Sequence, residues 1–143
     1  HRMSYTAIAE KIKATLAGFR ELYPMSRIWC VFQPHQEERL RLLFNDFIHS
    51  FKEADRIILL DAYGVAGREV SEKEKSERKT SYDLARAIDV VANKDVYYVP
   101  HAGRLHDFLK EHVYENDLII MMGAGDINQL TRTLGVLPST PTV

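Results

Sequence analysis

Four short apolar runs alternate with amphipathic segments along this chain, and that alternation limits the possible folds more than any other feature. The runs predict strands at about 27–33, 56–61, 96–99 and 118–122. The core of the second run, Ile57-Ile58-Leu59-Leu60, is continuously apolar rather than alternating. Such a run is typical of a parallel strand that is covered on both faces of its sheet.

The segments between the runs have the periodicity of helices. In the first segment, apolar residues recur every three or four positions from Ile8 to Leu22, and Tyr23-Pro24 ends the pattern. Similar patterns predict helices at about 37–52, 81–91 and 105–112, and a last helix that ends near Leu134. The order of elements predicts an α/β fold, a Rossmann-like three-layer domain with right-handed crossovers and a mainly parallel sheet of at least four strands.

Length and composition indicate one globular domain. The chain has 143 residues, of which 45% are hydrophobic and 27% are charged, and that is enough for a single core. We expect residues 1–3 to be a remnant of expression cloning, 4–137 to form the domain, and the Pro/Thr-rich residues 138–143 to form a flexible tail. The charge run within 62–79 is most simply a solvated loop or helix end.

Charge and hydropathy argue against several classes of function. The formal net charge is -1 and the positive charges are scattered, so we expect no binding to nucleic acid or to a membrane surface. No apolar run approaches the roughly 20 residues of a transmembrane helix, and no secretory signal opens the chain, so we expect a cytoplasmic protein. The single cysteine, Cys30, lies within the first predicted strand, where a buried structural thiol is expected rather than a nucleophile.

The most informative candidate site begins where the first predicted strand ends. Gln33 and Pro34 close that strand, and His35 and Arg39 follow near the first turn of the next predicted helix. Ligands of open α/β sheets bind at the carboxyl ends of strands, and helix-start amides beside a cation favour carboxylates and phosphates. In the alternative, structural interpretation, His35 caps the helix or bonds a backbone carbonyl, and Arg39 is a surface cation.

A second candidate segment follows the second predicted strand. Asp61, Tyr63, Arg68 and Glu69 lie on a glycine-containing stretch, which the topology is expected to bring beside the first segment. Either these residues line the same crevice, or they form a turn in which Asp61 bonds its own backbone.

Three further patterns bear on function. Gly123-Ala124-Gly125-Asp126 resembles a truncated phosphate-binding turn, but Asp126 would repel a phosphate, so a structural role of the glycines is favoured. The histidines have no partners at zinc-site spacing, and we expect no metal site. The chain also lacks a P-loop sequence, so it does not by itself cradle a nucleoside triphosphate.

Taken together, these motifs resemble one known family. Phe32-Gln33-Pro34-His35 with Arg39, then Asp61-x-Tyr63, then Met122-Gly123-Ala124-Gly125-Asp126-Ile127 have the order and spacing found in the C-terminal domain of the ATP-dependent Mur ligases of peptidoglycan synthesis. The resemblance covers about residues 5–137, and it is strongest to the alanine-adding members of the family.

The resemblance implies a chemistry and a division of labour. Family members phosphorylate a substrate carboxylate, here that of UDP-N-acetylmuramate, with ATP and Mg²⁺, and the amine of L-alanine then attacks the acyl phosphate. An N-terminal domain holds the UDP group, and a central domain carries the P-loop and the metal ligands. The C-terminal domain closes over ATP and positions the amino acid. It would contain no catalytic residue or metal ligand, and it would be inactive without its own N-terminal and central domains.

The substrate-binding residues of the family carry over to five positions. His35 matches the motif histidine, and Arg39 matches the arginine expected to meet a carboxylate or phosphate, a task suited to its two-pronged guanidinium. Tyr63 matches the motif tyrosine, and Arg68 and Glu69 resemble the charged pair beyond it.

Two departures from the family pattern are visible. Gln36 stands where many members have a further arginine, which removes one cation from the site. The family's Asp-Tyr-x-His-His-Pro segment aligns with residues 4–9, where only Tyr5 matches, so Tyr5 alone is expected to contact the nucleotide. Two alternatives remain open: the corresponding domain of the ligase that recycles murein tripeptide, and a stand-alone Rossmann-like binding module without catalysis.

Overall fold

The computed structural model describes residues 5–34, 37–62 and 80–123, with the side chains of 8–34, 40–62 and 80–123. Its helices are α1 (Tyr5–Leu22), α2 (Glu37–Leu42), α3 (Phe44–Ile48), α4 (Ser81–Ala87) and α5 (Leu105–His112). Its strands are β1 (Ile28–Gln33), β2 (Arg56–Leu59), β3 (Asp95–Tyr98) and β4 (Leu118–Gly123). A π-helical turn, Ile88–Ala92, extends α4, and a 3₁₀ turn, Ala102–Arg104, precedes α5.

The strands form one parallel sheet in the order β3-β2-β1-β4. β1 pairs with β4 along its whole length, from Ile28 opposite Leu118 to Gln33 opposite Gly123. The chain adds β2 and β3 on one side of β1 and then returns to the other side for β4. The predicted α/β fold, with a mainly parallel sheet of at least four strands, is therefore confirmed.

Helices cover both faces of the sheet, because successive side chains of a strand point to opposite faces. Ile28, Cys30 and Phe32 of β1 belong to the larger core cluster, together with residues of α1, α2, α3 and α4. Trp29 and Val31 belong to a second cluster, which α5 completes. This gives the three layers, and it explains why the strand runs are continuously apolar.

α1 packs against the sheet through Ala9, Ile12 and Leu16, and the short segment 23–27 joins its end to the start of β1, so the two elements run in opposite directions. Its last turn lies at the amino-terminal edge of the sheet, where Arg20 donates hydrogen bonds to the carbonyl of Ser26 and the carboxylate of Asp55. Its first residue, Tyr5, therefore lies towards the carboxyl-terminal edge. With 18 residues α1 is about 27 Å long, which is longer than the strands it packs against.

The helix predicted for 37–52 is shorter and divided. It consists of α2 and α3, with Leu43 between them at φ -107° and ψ 15°, and residues 49–53 form turns. The hydroxyl of Ser50 donates to the carbonyl of Asp46 at 2.7 Å, and such local bonds compete with helix continuation. Phe51 stays buried although it lies beyond the helix, and its burial accounts for the extended apolar pattern.

The amino-terminal edge of the sheet is held by the buried carboxylate of Asp117. Its Oδ2 accepts hydrogen bonds from Nε and Nη2 of Arg27 at 3.1 and 2.7 Å, and from the indole N–H of Trp29 at 2.9 Å. The backbone N–H of Tyr114 donates to the same oxygen at 3.0 Å. This carboxylate thereby joins the starts of β1 and β4 and the turn before β4.

Asp55 makes a similar connection one strand further along. Burial tends to raise the pKa of its carboxyl, but hydrogen bonds from the backbone N–H of Ile28 and from Arg20 outweigh burial and hold that pKa below its usual value. Asp55 therefore ties the start of β2 to β1 and to α1 in its ionised form.

Cys30 is a buried structural thiol, as the sequence predicts. The residue is completely buried in β1, and burial raises the pKa of the thiol to about 12. The thiol is therefore protonated at neutral pH and is not a nucleophile.

Among the helices of the described ranges, none combines the length and the apolar character that crossing a bilayer requires. The longest, α1, carries the charged residues Glu10, Lys11 and Lys13 in adjacent turns.

We predict that Asp117→Ala destabilises the domain by about 3 kcal/mol or more, because it leaves Trp29 Nε1 without its acceptor and Arg27 without its counter-ion. Urea unfolding followed by far-UV circular dichroism measures the effect. Glu10→Ala is the control: Glu10 makes an exposed pair with Lys13 at 3.8 Å, so we expect a change within about 0.5 kcal/mol. Equal effects of both variants would show that Asp117 does not hold this edge.

Candidate functional site

The candidate site lies at the carboxyl-terminal edge of the sheet, between β1 and β4. The chain leaves β1 towards β2, which lies on one side of β1, and β4 lies on the other side, so the order of strands reverses between β1 and β4. In open α/β sheets this topological switch point forms the crevice in which ligands bind. The last residues of the two strands at this point are Gln33 and Gly123, which are opposite each other in the register.

Gly123 allows the two strand ends to approach closely. Its φ is +141°, and a Cβ at this position would lie 2.6 Å from the carbonyl oxygen of Gln33 and 3.3 Å from the Cβ of Gln33. Both the backbone conformation and the neighbouring strand therefore restrict position 123 to glycine. The structural role predicted for this glycine is confirmed; residues 124–126 lie outside the described residues.

The side chain of Gln33 is unusual for the end of a buried strand. The residue is only 4% exposed, and its Oε1 is buried without a hydrogen-bond partner among the described residues. A buried carbonyl that lacks a donor costs about 1–3 kcal/mol, and few are found in native structures. Beside it Gly123 is exposed, so the seam between β1 and β4 opens to solvent next to a buried acceptor.

Asp61, at the carboxyl end of β2, is held by Tyr98 from the end of β3. The phenol of Tyr98 donates to Oδ1 of Asp61 at 2.6 Å, and the backbone N–H of Asp61 donates to the carbonyl of Pro100 at 3.2 Å. The ring of Tyr82 packs against that of Tyr98 with centroids 5.5 Å apart. The Asp61 carboxylate is thus held by a residue of the neighbouring strand. The alternative in which Asp61 only bonds its own backbone in a turn does not include this contact.

The start of α4 is fixed at the same edge. The hydroxyl of Ser81 donates to the carbonyl of Leu60 at 2.6 Å, and that carbonyl lies just beyond the end of β2. Thr80 and Asp83 form a reciprocal capping box, in which each side chain accepts from the other's backbone N–H. The chain therefore returns to the sheet at a defined point.

The residues predicted from sequence to bind substrate are only partly placed. Arg39 is the third residue of α2, and α2 begins four residues after the end of β1, so its backbone lies close to the switch point. Tyr5 begins α1, which starts towards the same edge. The side chains of both lie outside the described residues, as do the predicted site residues His35, Tyr63, Arg68 and Glu69.

Histidines and carboxylates of the described ranges do not assemble into a metal site. No group of three or more possible ligands comes together there. Nδ1 of His112 lies 2.8 Å from the carbonyl of Phe108, and the two rings stack with centroids 4.0 Å apart. That histidine has a structural role.

Two of the site's features escape sequence reasoning. Gln33 is polar at the end of an otherwise apolar run, which is the signal that marks it, but burial of its carboxamide depends on both neighbouring strands. The Tyr98 partner of Asp61 lies 37 positions away in the chain, and the pairing of β2 with β3 is what brings the two together.

Comparison with known proteins places this architecture in a family. Residues 3–125 match the family model described as the Mur ligase, glutamate ligase domain. The chain is 36% identical over 130 residues to the UDP-N-acetylmuramate–L-alanine ligase of Lachnoclostridium phytofermentans, with 91% of this chain and 26% of that protein covered. It is 39% identical over 127 residues to the enzyme of the same name from Pelobacter propionicus, with 89% and 26% covered. The chain thus spans about a quarter of the length of these curated relatives.

A solved structure shows the same fold. The crystal structure of the UDP-N-acetylmuramate-alanine ligase from Thermotoga maritima superposes on 87% of this chain with a TM-score of 0.59, covering 23% of that protein at 22% sequence identity. At this level of identity the likeness concerns the fold alone.

We predict that Gly123→Ala destabilises the domain by about 2 kcal/mol or more, because φ +141° strains an alanine and its Cβ would meet the Gln33 backbone. Thermal or urea unfolding measures the loss. The control is Gly18→Ala within α1, where an added Cβ meets nothing within 4 Å, and we expect a gain of roughly 0.5–1 kcal/mol. A neutral Gly123→Ala would contradict the close approach of the two strand ends.

Proposed function

We propose that this chain, which belongs to the Mur ligase family and matches its C-terminal, glutamate ligase domain, is part of a ligase that joins L-alanine to UDP-N-acetylmuramate. The observation that carries this proposal is the match of residues 3–125 to the family model, together with relatives that bear the name of the alanine ligase. In the full-length enzyme the domain would close over ATP and position the amino acid.

The geometry of the sheet supports a binding role. Gln33 and Gly123 meet at the switch point, Asp61 is held at the neighbouring strand end, and the backbone of Arg39 lies in the first turn of α2, a few residues from β1. The carboxamide of Gln33 and the carboxylate of Asp61 therefore lie at the edge where a closing domain would recognise a small, charged substrate.

In the proposed reaction the carboxylate of UDP-N-acetylmuramate is phosphorylated by ATP, and the amine of alanine attacks the acyl carbon, loses a proton and expels phosphate. Arg39, as a guanidinium with paired donors, would bind the carboxylate of the amino acid or a phosphate oxygen. His35 and Tyr63 would supply further hydrogen bonds, with Arg68 and Glu69 as a charged pair, and Tyr5 would contact the nucleotide. All of these side chains would position substrates and neutralise charge, and none would form a covalent bond to a substrate.

Mg²⁺ and most contacts to ATP are assigned to the part of the ligase outside this chain. Within the described residues no cluster of three possible metal ligands occurs, and the carboxylate of Asp61 is already engaged by Tyr98. Those residues therefore do not fit a resident magnesium site. The partners of this domain would be the N-terminal and central domains of the same enzyme, in the cytoplasm.

We predict that the isolated chain does not hydrolyse ATP in the presence of UDP-N-acetylmuramate and L-alanine, because it lacks the phosphate-binding part of the ligase. Phosphate release measures turnover. Addition of the N-terminal and central domains as a separate protein should restore part of the alanine-dependent activity. Robust turnover by the chain alone would overturn the proposal, as would a full-length enzyme that accepts murein tripeptide but not alanine.

We predict that Arg39→Ala in the full-length ligase lowers kcat/KM about 10-fold to 100-fold, as expected for the loss of a hydrogen bond to a charged group. Steady-state kinetics with alanine and UDP-N-acetylmuramate varied in turn would identify the affected substrate. Arg41→Ala is the matched control, since Arg41 lies two residues along the same helix with an exposed side chain. Unchanged kinetics in Arg39→Ala would remove Arg39 from the site.

A further inference from the structure

We propose that Gln33 is a binding residue for the incoming amino acid, and that its Oε1 accepts an N–H of the α-amine at the seam between β1 and β4. The inference rests on the proposed function, since it identifies which group of the domain receives the nucleophile. The carboxamide of Gln33 is a neutral acceptor, whereas the binding residues predicted from the sequence motifs include the cations Arg39 and Arg68.

The carboxamide oxygen of Gln33 lacks a hydrogen bond that a buried oxygen normally has. Gln33 is 4% exposed, and its Oε1 has no donor among the described residues, whereas the buried side-chain oxygens of Ser50, Ser81 and Asp117 are all engaged. Among the described residues, Oε1 of Gln33 is thus the one buried side-chain nitrogen or oxygen without a hydrogen-bond partner, and it lies at the switch point. A donor that arrives with a ligand would relieve it.

Gln33 has a solvent-exposed residue as its neighbour. Gly123 is the direct neighbour of Gln33 across the β1–β4 pair, and it is exposed and has no side chain. A side chain at that position would lie against the Gln33 backbone and Cβ. The strand pairing thus places an exposed residue without a side chain directly beside Gln33, and a small group such as an amine can approach the carboxamide from there.

The carboxamide of Gln33 is an uncharged acceptor, and its neutrality suits an amine nucleophile. The nucleophile of an amide-forming ligase is the neutral amine, not the ammonium ion. A carboxylate beside the amine would favour the ammonium form and raise its pKa, whereas a carboxamide accepts an N–H without adding charge. A buried glutamine therefore suits the recognition of an amine that must lose its proton before it attacks.

The first arm of the test is Gln33→Met in the full-length ligase, which keeps the length of the side chain and removes the acceptor. We expect kcat/KM for alanine to fall about 10-fold to 100-fold, with KM for ATP and for UDP-N-acetylmuramate unchanged. We also expect the melting temperature to stay close to that of the wild type, because Met keeps the length and burial of the side chain and removes an unsatisfied carbonyl. The control is Ser50→Ala, which removes a satisfied buried hydroxyl away from the edge and should lower the melting temperature without affecting KM for alanine.

The second arm is Gln33→Glu, which keeps an acceptor and adds a charge. We expect the rising limb of the pH–rate profile to shift to higher pH by about one unit. The added carboxylate stabilises the bound ammonium ion, so the neutral amine forms only at higher pH. A purely structural glutamine would leave this limb in place.

Three results would overturn the proposal: an unchanged alanine kcat/KM in Gln33→Met, an effect confined to the KM of ATP, or a Gln33→Glu variant that weakens alanine binding without moving the pH limb. The last would show that the ligand presents its carboxylate here.

The wild-type enzyme is assayed with a panel of amino acids in parallel. If the wild-type enzyme rejects alanine but uses another amino acid, the proposed function fails. The role of Gln33 then still requires that Gln33→Met raises the KM of that amino acid. If the enzyme uses no amino acid, the proposed function and the role of Gln33 both fail.

Discussion

The hydrogen bonds that β1 makes to β2 on one side and to β4 on the other hold the sheet together, and helices bury its side chains on both faces. Every residue of β1 is buried. Each of its backbone groups therefore needs a partner from a neighbouring strand, because no water reaches it. The register of the flanking strands depends in addition on which apolar side chains each face must bury, and in this register Gln33 lies opposite Gly123.

The two edges of the sheet differ in the way polar groups are used. At the amino-terminal edge, the carboxylates of Asp117 and Asp55 accept several donors each and join strand starts to helix ends. At the carboxyl-terminal edge, Gly123 adopts a positive φ and the carboxamide oxygen of Gln33 lacks a partner. Buried polar groups are fully hydrogen-bonded at the edge that stabilises the domain. The unfavourable φ and the unpartnered oxygen occur at the edge where α/β domains bind ligands.

The candidate site was partly predictable from sequence. The end of a strand at Gln33 and the start of a helix at Glu37 agree with the prediction, since both depend only on local pattern. The family resemblance carried by the motifs is confirmed by the match over residues 3–125. The hydrogen bond between Tyr98 and Asp61 was not predictable, because it joins the ends of two strands whose pairing the sequence does not state. The substrate contacts of His35, Arg39, Tyr63, Arg68, Glu69 and Tyr5 stay predictions.

The sequence by itself determined the α/β class, the four buried strands, the inert thiol of Cys30 and the need for glycine at a strand end, because periodicity, apolar runs and backbone freedom are properties of a few adjacent residues. The division of the second predicted helix at Leu43 was decided by the tertiary structure, which buries Phe51 from a turn. Strand order was also decided there, since it depends on which side of β1 the chain returns to for β4. That choice creates the switch point and leaves the buried acceptor of Gln33 beside the exposed Gly123. Because these two residues are far apart in the chain, no local sequence pattern could show that they are neighbours.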